Sequence, residues 1–411
     1  MTQIIRFGRQ VFDIESEELQ RAIDRAADAR SERPVCMCRP ADPPEMYVAK
    51  VNGRSIIKRM PETAHLHDPT CDSYEVPRAI SGIGEAEGKA ILHNSKNETV
   101  TLRLGFSLWR TGASQTAFQA PAPSDSARAS APRLTLRATI DYLWDAAQLN
   151  RWKPLMRGKR NYSVVYKYVT RAVNHTLAKR VSLAETFYMP EPFYADRADE
   201  IQARAAASMR RCTYQRTGKQ ALTLLFCEVK SLGDARQGAV IQIRHAPFAR
   251  FYLPQSLQQR MLRIFEAELA LWNARPEMHL MLLATVAQNA AGMYELSEAA
   301  LMLVDDGWMP VATLDCSRLF ERLAGEGRAF LKGLRFNADK SVRLADALLT
   351  DTDLPTAIYL VDGTEPSEQV DRLKDECGAA GLGVRFVRTV DIGSAELPQA
   401  KALRRQITRC A

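Results

Sequence analysis

Cys36-Met37-Cys38 and the later His67-Asp68-Pro69-Thr70-Cys71 constrain this chain more than any other feature. Three thiols and one imidazole are a donor set used by structural tetrahedral zinc sites. Between the two halves, Tyr47-Val48-Ala49-Lys50-Val51 and Arg54-Ser55-Ile56-Ile57 flank Asn52-Gly53, a strong hairpin signal. A hairpin returns the chain to its start, so the second donor pair can close on the first. The expected ligands are Cys36, Cys38, Cys71 and His67, with His65 as an open alternative to His67. Four protein ligands leave no coordination position for substrate, so zinc is expected in a structural role.

The remaining cysteines, Cys212, Cys227, Cys316, Cys377 and Cys410, are scattered singly and read as inert thiols. At 411 residues, with 46% apolar and 25% charged side chains, the chain suits a globular protein of two or three domains. No signal-like stretch opens it, and its longest uncharged run, Met278 to Tyr294, is too polar for a membrane span. The expectation is a soluble cytoplasmic protein without membrane attachment.

Charge is unevenly placed. From Ala146 to Ala184 there is no acid, while Arg151, Lys153, Arg157, Lys159, Arg160, Lys167, Arg171, Lys179 and Arg180 supply nine cations. With a formal net charge of +8, the rest of the chain stands at −1, so this segment carries the whole excess. Such clustering points to a polyanion, DNA before other partners, with Arg151, Lys153, Arg157, Lys159, Arg160, Lys167 and Arg171 as candidate contacts. Trp152, Tyr162, Tyr166 and Tyr168 interleave with the cations and divide between core and base-stacking roles.

The pattern predicts a mixed α+β chain. Residues 1–32 hold a strand and a helix capped by Ser16; 33–111 form a zinc-binding β-rich module with a second hairpin over 89–104. The Ala/Ser/Pro-rich stretch 112–132 reads as a flexible linker. Residues 133–188 give two helices, about 134–149 and 163–177, forming a basic helical, winged-helix-like domain. An α/β segment spans 189–275, with an antiparallel pair from 221–226 and 239–243 and a helix from 254 to 273. Residues 276–411 form an α/β domain, in which 356–361, 366–377 and 383–387 read as strand, helix and parallel strand.

Several motifs resemble a bacterial family catalogued as domain of unknown function 1173, often encoded on integrated or conjugative elements. They are Val35-Cys36-Met37-Cys38, Lys58-Arg59-Met60-Pro61, His67-Asp68-Pro69-Thr70-Cys71-Asp72-Ser73-Tyr74-Glu75, Leu143-Trp144-Asp145 and Leu149-Asn150-Arg151-Trp152. Gly327 to Phe336 and Leu348 to Thr352 continue the likeness, which runs over most of the chain. It supports the zinc site and names no reaction.

A looser similarity is to proteins that join a zinc module to a nuclease of the PD-(D/E)xK type, a restriction-endonuclease-like fold. Leu344 to Asp351 would then be the first acidic strand and Ile358 to Gly363 the second, with Asp346 as a Mg²⁺ ligand. Tyr359 and Val361 stand where the second acid and the lysine belong, which implies a degenerate site. Glu228-Val229-Lys230 repeats the E-x-K pattern and reads as a surface ion pair or a solvated strand edge, with a nuclease site as the lesser alternative. No Walker loop, dinucleotide fingerprint, zinc-protease motif or nucleophile elbow is present. The expected function is a zinc-containing nucleic-acid-binding accessory protein of a mobile element, without catalytic activity. The alternatives are a Mg²⁺-dependent nuclease and a protein-interaction component.

Overall fold

Residues 3–14, 16–26, 33–51, 54–60, 63–76, 81–84, 86–94, 99–111, 132–179, 181–213, 215–216, 218–339 and 342–401 are described by a computed structural model. Strands β1 (Ile4–Phe7) and β2 (Gln10–Asp13) form a hairpin, and β1 also pairs antiparallel with β3 (Val35–Cys36). Helix α1 (Glu17–Ala26) lies between them in sequence. Its start follows from Ser16, whose hydroxyl accepts the Leu19 amide at 3.2 Å, and from Glu17 and Glu18 in the first turn. Leu19, Ala22 and Ile23 line one face of α1 and pack with Ile5, Phe12, Cys36, Met46 and Cys71. Ser16→Ala should therefore cost about 1 kcal/mol in urea unfolding.

The expected hairpin appears as β4 (Met46–Val51) and β5 (Arg54–Arg59), in register from Met46 opposite Arg59 to Val51 opposite Arg54. Its Asn52-Gly53 turn lies outside the described residues, as does all but the last residue of the expected 112–132 linker. Strands β1 and β2 thus share one sheet with the cysteine segment, and together with α1 they share one small core with it.

The β-rich module is shorter than 33–111. Strands β6 (Ile91–Asn94) and β7 (Thr99–Leu102) do form a hairpin, and β8 (Trp109–Thr111) follows. Helix α2 (Leu136–Ala146), β9 (Arg151–Trp152), α3 (Tyr162–Asn174), β10 (Thr176–Ala178), β11 (Val181–Ser182) and β12 (Phe187–Tyr188) come next. Helix α4 (Ala198–Met209), β13 (Gln215–Arg216) and β14 (Lys219–Ala221) lead to the long strand β15 (Thr223–Ala235). Strand β7 runs parallel to β10, and β8 pairs with β14, so residues 91–111 join the centre of the molecule.

Nor does 133–188 stand apart as a winged-helix-like domain. The Thr135 hydroxyl caps α2 by accepting the Ala138 amide, but the helix is buried from Leu136 to Trp144 except at Arg137. Its buried acid, Asp141, is satisfied within the fold, accepting the Phe336 amide at 3.0 Å and pairing with Arg137. Trp144 meets Phe226 edge-on at 6.2 Å, β9 enters the C-terminal sheet, and β12 pairs with β15.

Five strands close a ring at the centre. They are β15, β16 (Gly238–Ile243), β17 (Arg250–Pro254), β18 (His279–Gln288) and β19 (Tyr294–Val304). Their order is β15-β16-β17-β19-β18, with β18 returning to β15. Only β17 and β19 run parallel; the other neighbours are antiparallel. The sequence expectation for 221–226 fails here: Thr223 to Val229 pair with β18, and Val229 to Ala235 pair with β16. Strands β18 and β19 also belong to this barrel, not to the C-terminal domain expected from residue 276. The helix expected over 254–273 is two, α5 (Gln255–Ile264) and α6 (Glu266–Ala274), with Leu257, Met261, Phe265 and Leu269 buried.

Beyond the barrel come α7 (Leu314–Gly325), β20 (Phe330–Leu331), β21 (Ala347–Leu349), β22 (Thr356–Val361), α8 (Ser367–Ala379) and β23 (Gly383–Arg388). The sheet order is β23-β22-β21-β20-β9, with β22 and β23 parallel across α8, as the strand-helix-strand pattern predicts. Tyr74 and Val76, just past the last cysteine of the N-terminal module, insert among Leu331, Leu348, Tyr359, Leu373 and Cys377. The chain is a mixed α+β protein. Among the described residues no helix is long and apolar enough to cross a membrane.

Candidate metal centre

Four donor atoms converge at the junction of β3, the β4–β5 hairpin and the turn over residues 64–71. Cys36 arrives on β3, and the tight turn after it brings Cys38 back to the same side. The Cys36 and Cys71 sulfurs are 3.7 Å apart, while His67 Nδ1 lies 3.5 Å from the Cys38 sulfur and 3.8 Å from that of Cys71. Metal–sulfur bonds of about 2.3 Å and metal–nitrogen bonds of about 2.0 Å give a tetrahedron with edges of ~3.8 Å between sulfurs and ~3.6 Å between sulfur and nitrogen. The distances therefore fit four ligands around one ion, whereas a disulfide would need about 2.05 Å. Cys36, Cys38, His67 and Cys71 form the one such cluster among the described residues.

His65 is exposed and His67 fully buried, which decides between the two histidines. Surrounding donors support charge on the sulfurs. Gln3 Nε2 donates to Cys36 at 3.2 Å and to the Ser73 hydroxyl at 2.9 Å. The Asp68 amide donates to Cys38, and the Ser73 amide to Cys71, each at 3.4 Å. Such outer contacts orient thiolate ligands. Because His67 Nδ1 faces the Cys38 and Cys71 sulfurs, it is the nitrogen offered to an ion, while Nε2, on the other side of the ring, is buried without a hydrogen-bond partner among the described residues.

The three thiols bias one another unequally. Hydrogen bonds from Cys38 and Cys71 draw Cys36 far below the usual thiol range. The same bond to Cys36 pushes Cys38 up to about 11 and Cys71 well above that, with burial adding to both. A divalent cation held there would favour the thiolate form of all three, with release of their protons. The other thiols offer no comparable chemistry. Burial pushes Cys212 and Cys316 up to about 11 and Cys227 further, and Cys377 is raised too. Cys410 lies outside the described residues.

The seven candidate nucleic-acid contacts are not one surface. Arg157, Lys159, Lys167 and Arg171 are exposed. Lys153 is ion-paired with Asp72 of the metal module, and Arg151 is half-buried on β9. Arg160 turns inward: it donates to the Leu149 carbonyl at 3.0 Å and to that of Arg151, and its guanidinium sits 5.5 Å from the Trp152 ring. Burial lowers Arg160 to about 10, with Asp305 opposing that shift. Its donors serve the fold, so Arg160 leaves the contact set. Of the interleaved aromatics, Trp152 and Tyr162 are core, Tyr166 is half-buried and Tyr168 is exposed.

Asp346 is likewise engaged. It accepts the Leu360 amide at 2.8 Å, with Arg343 at 3.5 Å and Lys332 at 3.7 Å. Tyr359 is buried and stacks on Phe386.

Glu228 is not the surface ion pair expected of it, whereas Lys230 is exposed. The Glu228 side chain is 2% exposed; it lies 2.7 Å from Arg244 Nε, 2.8 Å from His279 Nδ1 and 3.6 Å from His245 Nε2. Burial opposes its ionisation, but hydrogen bonds from His245 and His279 and the nearby Arg244 bring its carboxyl down to about 2. His245 stacks on Tyr162 and His279 on Trp308. No sequence spacing announces this cluster, because its members come from β15, the end of β16 and the start of β18.

Comparison with curated proteins found no match, and comparison with solved structures found none either. The family model described as "Protein of unknown function (DUF1173)" matches residues 5–386, a span that takes in the four-donor cluster, the barrel and the C-terminal sheet, and the chain belongs to that family.

Proposed function

We propose that this is a zinc-stabilised, nucleic-acid-binding accessory protein of a bacterial mobile element, acting in the cytoplasm without catalytic chemistry of its own. Three thiolates with one imidazole suit zinc better than the harder divalent ions. The observation that carries the nucleic-acid reading is the acid-free basic stretch. It keeps Arg157, Lys159, Lys167 and Arg171 exposed even after the fold has taken up Arg160 and Lys153. Lys167 also lies 5.7 Å from the exposed Tyr168 ring, pairing a cation with a surface available for stacking.

Binding to a DNA duplex should fall steeply with salt, with a log–log slope of about −3 to −4 if all four cations meet phosphates. Changing Arg157, Lys159, Lys167 and Arg171 together to Glu should abolish that slope and weaken binding by at least about 100-fold. Arg160→Met should instead lower stability and leave the slope unchanged. Unaltered affinity in the fourfold variant would defeat the reading and leave an acidic protein as the partner of that face.

The nuclease alternative draws on the adjacency of β21 and β22, where Ala347 faces Ile358, since the two acidic strands of a PD-(D/E)xK site must be neighbours. Against it, the Asp346 carboxylate already has backbone and basic partners, and Tyr359 and Val361 supply neither acid nor lysine. We read the C-terminal sheet as a scaffold. DNA cleavage in Mg²⁺ that disappears in Asp346→Ala would reverse this.

A further inference from the structure

The barrel offers a second surface, distinct from the basic stretch on α3. Its closure order, first-second-third-fifth-fourth, the parallel contact of third with fifth, and the helices between third and fourth are the arrangement of an OB-fold barrel. Architecture alone assigns no activity. The side chains on the outside of the second and third strands have to carry the argument.

Those strands alternate cleanly. On β16, Ala239, Ile241 and Ile243 point into the barrel, leaving Val240 and Gln242 outside. On β17, Phe251 and Leu253 point inward, leaving Arg250 and Tyr252 outside. Register places Val240 opposite Tyr252 and Gln242 opposite Arg250. Gly233 of β15 lies beside Val240, so β15 contributes no side chain to that row. The Tyr252 hydroxyl donates to the Gln237 carbonyl, which ties the ring to the Arg236-Gln237 turn.

Three exposed cations frame this strip. Lys230 sits at the β-bulge of β15, Arg236 in the turn, and Arg250 on β17. None of the three has an ion-pair partner among the described residues. Elsewhere the barrel wall is covered: α2 packs on β18 and β19, while α5, which leaves β17 at Pro254, meets β16 at its Gly238 end and also contacts β19. Tyr252 is half-buried, with Val240 beside it on β16 and, on β19, Glu295, whose carboxylate is taken up by Arg110. An aromatic ring edged by exposed cations is the chemistry that holds a single strand, base on ring and phosphate on cation.

We propose that the outer face of β16 and β17 binds single-stranded nucleic acid, with Tyr252 stacking a base and Lys230, Arg236 and Arg250 holding phosphates. This rests on the nucleic-acid reading above and adds the strandedness of the ligand and its site.

The test is fluorescence anisotropy of the full chain with three labelled oligomers of equal length: a thymidine single strand, an abasic single strand and a duplex. The thymidine strand should bind about tenfold tighter than the abasic one. Tyr252→Ala should erase that preference, and Tyr252→Phe should keep it. The exposed-site variant Lys230→Glu with Arg250→Glu should weaken both single strands about tenfold and leave the melting temperature unchanged. Equal affinity of the native chain for thymidine and abasic strands, or full thymidine binding by the Lys230→Glu, Arg250→Glu variant, would overturn the proposal. Binding of duplex without binding of single strands would sink it while sparing the broader reading. Failure to bind any of the three would end both.

Discussion

Cys71→Ser is expected to eliminate stoichiometric zinc and unfold the N-terminal module. The small core around α1 is built on Ile5, Leu19, Cys36, Met46 and Cys71, so two of its members are themselves candidate ligands. Metal binding in zinc-finger peptides is worth ~10–16 kcal/mol at neutral pH, more than so small a core supplies unaided. Limited proteolysis should cut the variant within residues 1–76 under conditions that leave the native protein whole. A chelator should reproduce the effect, and added zinc should reverse it only in the native sequence. The damage should also spread. Tyr74 and Val76 enter the C-terminal sheet's core, and Asp72 and Asp68 pair with Lys153 and Lys401. The thermal transition of the whole chain should therefore fall. His65→Ala, at an exposed site, should leave both zinc content and melting unchanged.

The largest effect away from the metal is expected at Glu228. Removing its carboxylate leaves Arg244, His245 and His279 grouped around a buried position with no counter-charge. Arg244 is 45% exposed and keeps much of its hydration, so losing the carboxylate costs less than breaking a fully buried pair, about 1–3 kcal/mol, readable as a lower urea midpoint in Glu228→Ala. The pH dependence has a definite sign. A carboxyl lowered from 4.5 to about 2 binds fewer protons in the folded than in the unfolded chain. Its contribution, about 3 kcal/mol, is therefore fully present above pH 4.5 and is lost as pH falls towards 2. Glu228→Gln should flatten that acid limb of the stability curve. An unchanged limb would show that other carboxylates control acid unfolding.

Features written within a short stretch of chain were legible. The C-x-C pair, the H-x3-C pair and the hairpin between them predict a convergence that the donor distances display. Helix α2 was visible from Leu136, Ile140, Leu143 and Trp144, but not its burial. Side-chain spacing shows one apolar face, while enclosure depends on what β18 and β19 bring to the others. The barrel was hidden for the same reason. Val229 pairs with Ile243 on one side and Leu280 on the other, and no local pattern reports that a strand has two partners. Net charge was readable from the basic stretch, yet Arg160 and Arg157 look alike in sequence. Only the carbonyls of Leu149 and Arg151 distinguish the inward side chain from the outward one.

The central claim is that one ion joins Cys36, Cys38, His67 and Cys71. X-ray absorption at the zinc edge on the purified full-length chain tests it directly. The account predicts one zinc per chain, with three sulfur neighbours near 2.3 Å and one nitrogen near 2.0 Å. A shell of oxygen and nitrogen alone, or a protein that purifies gently without metal, would contradict it.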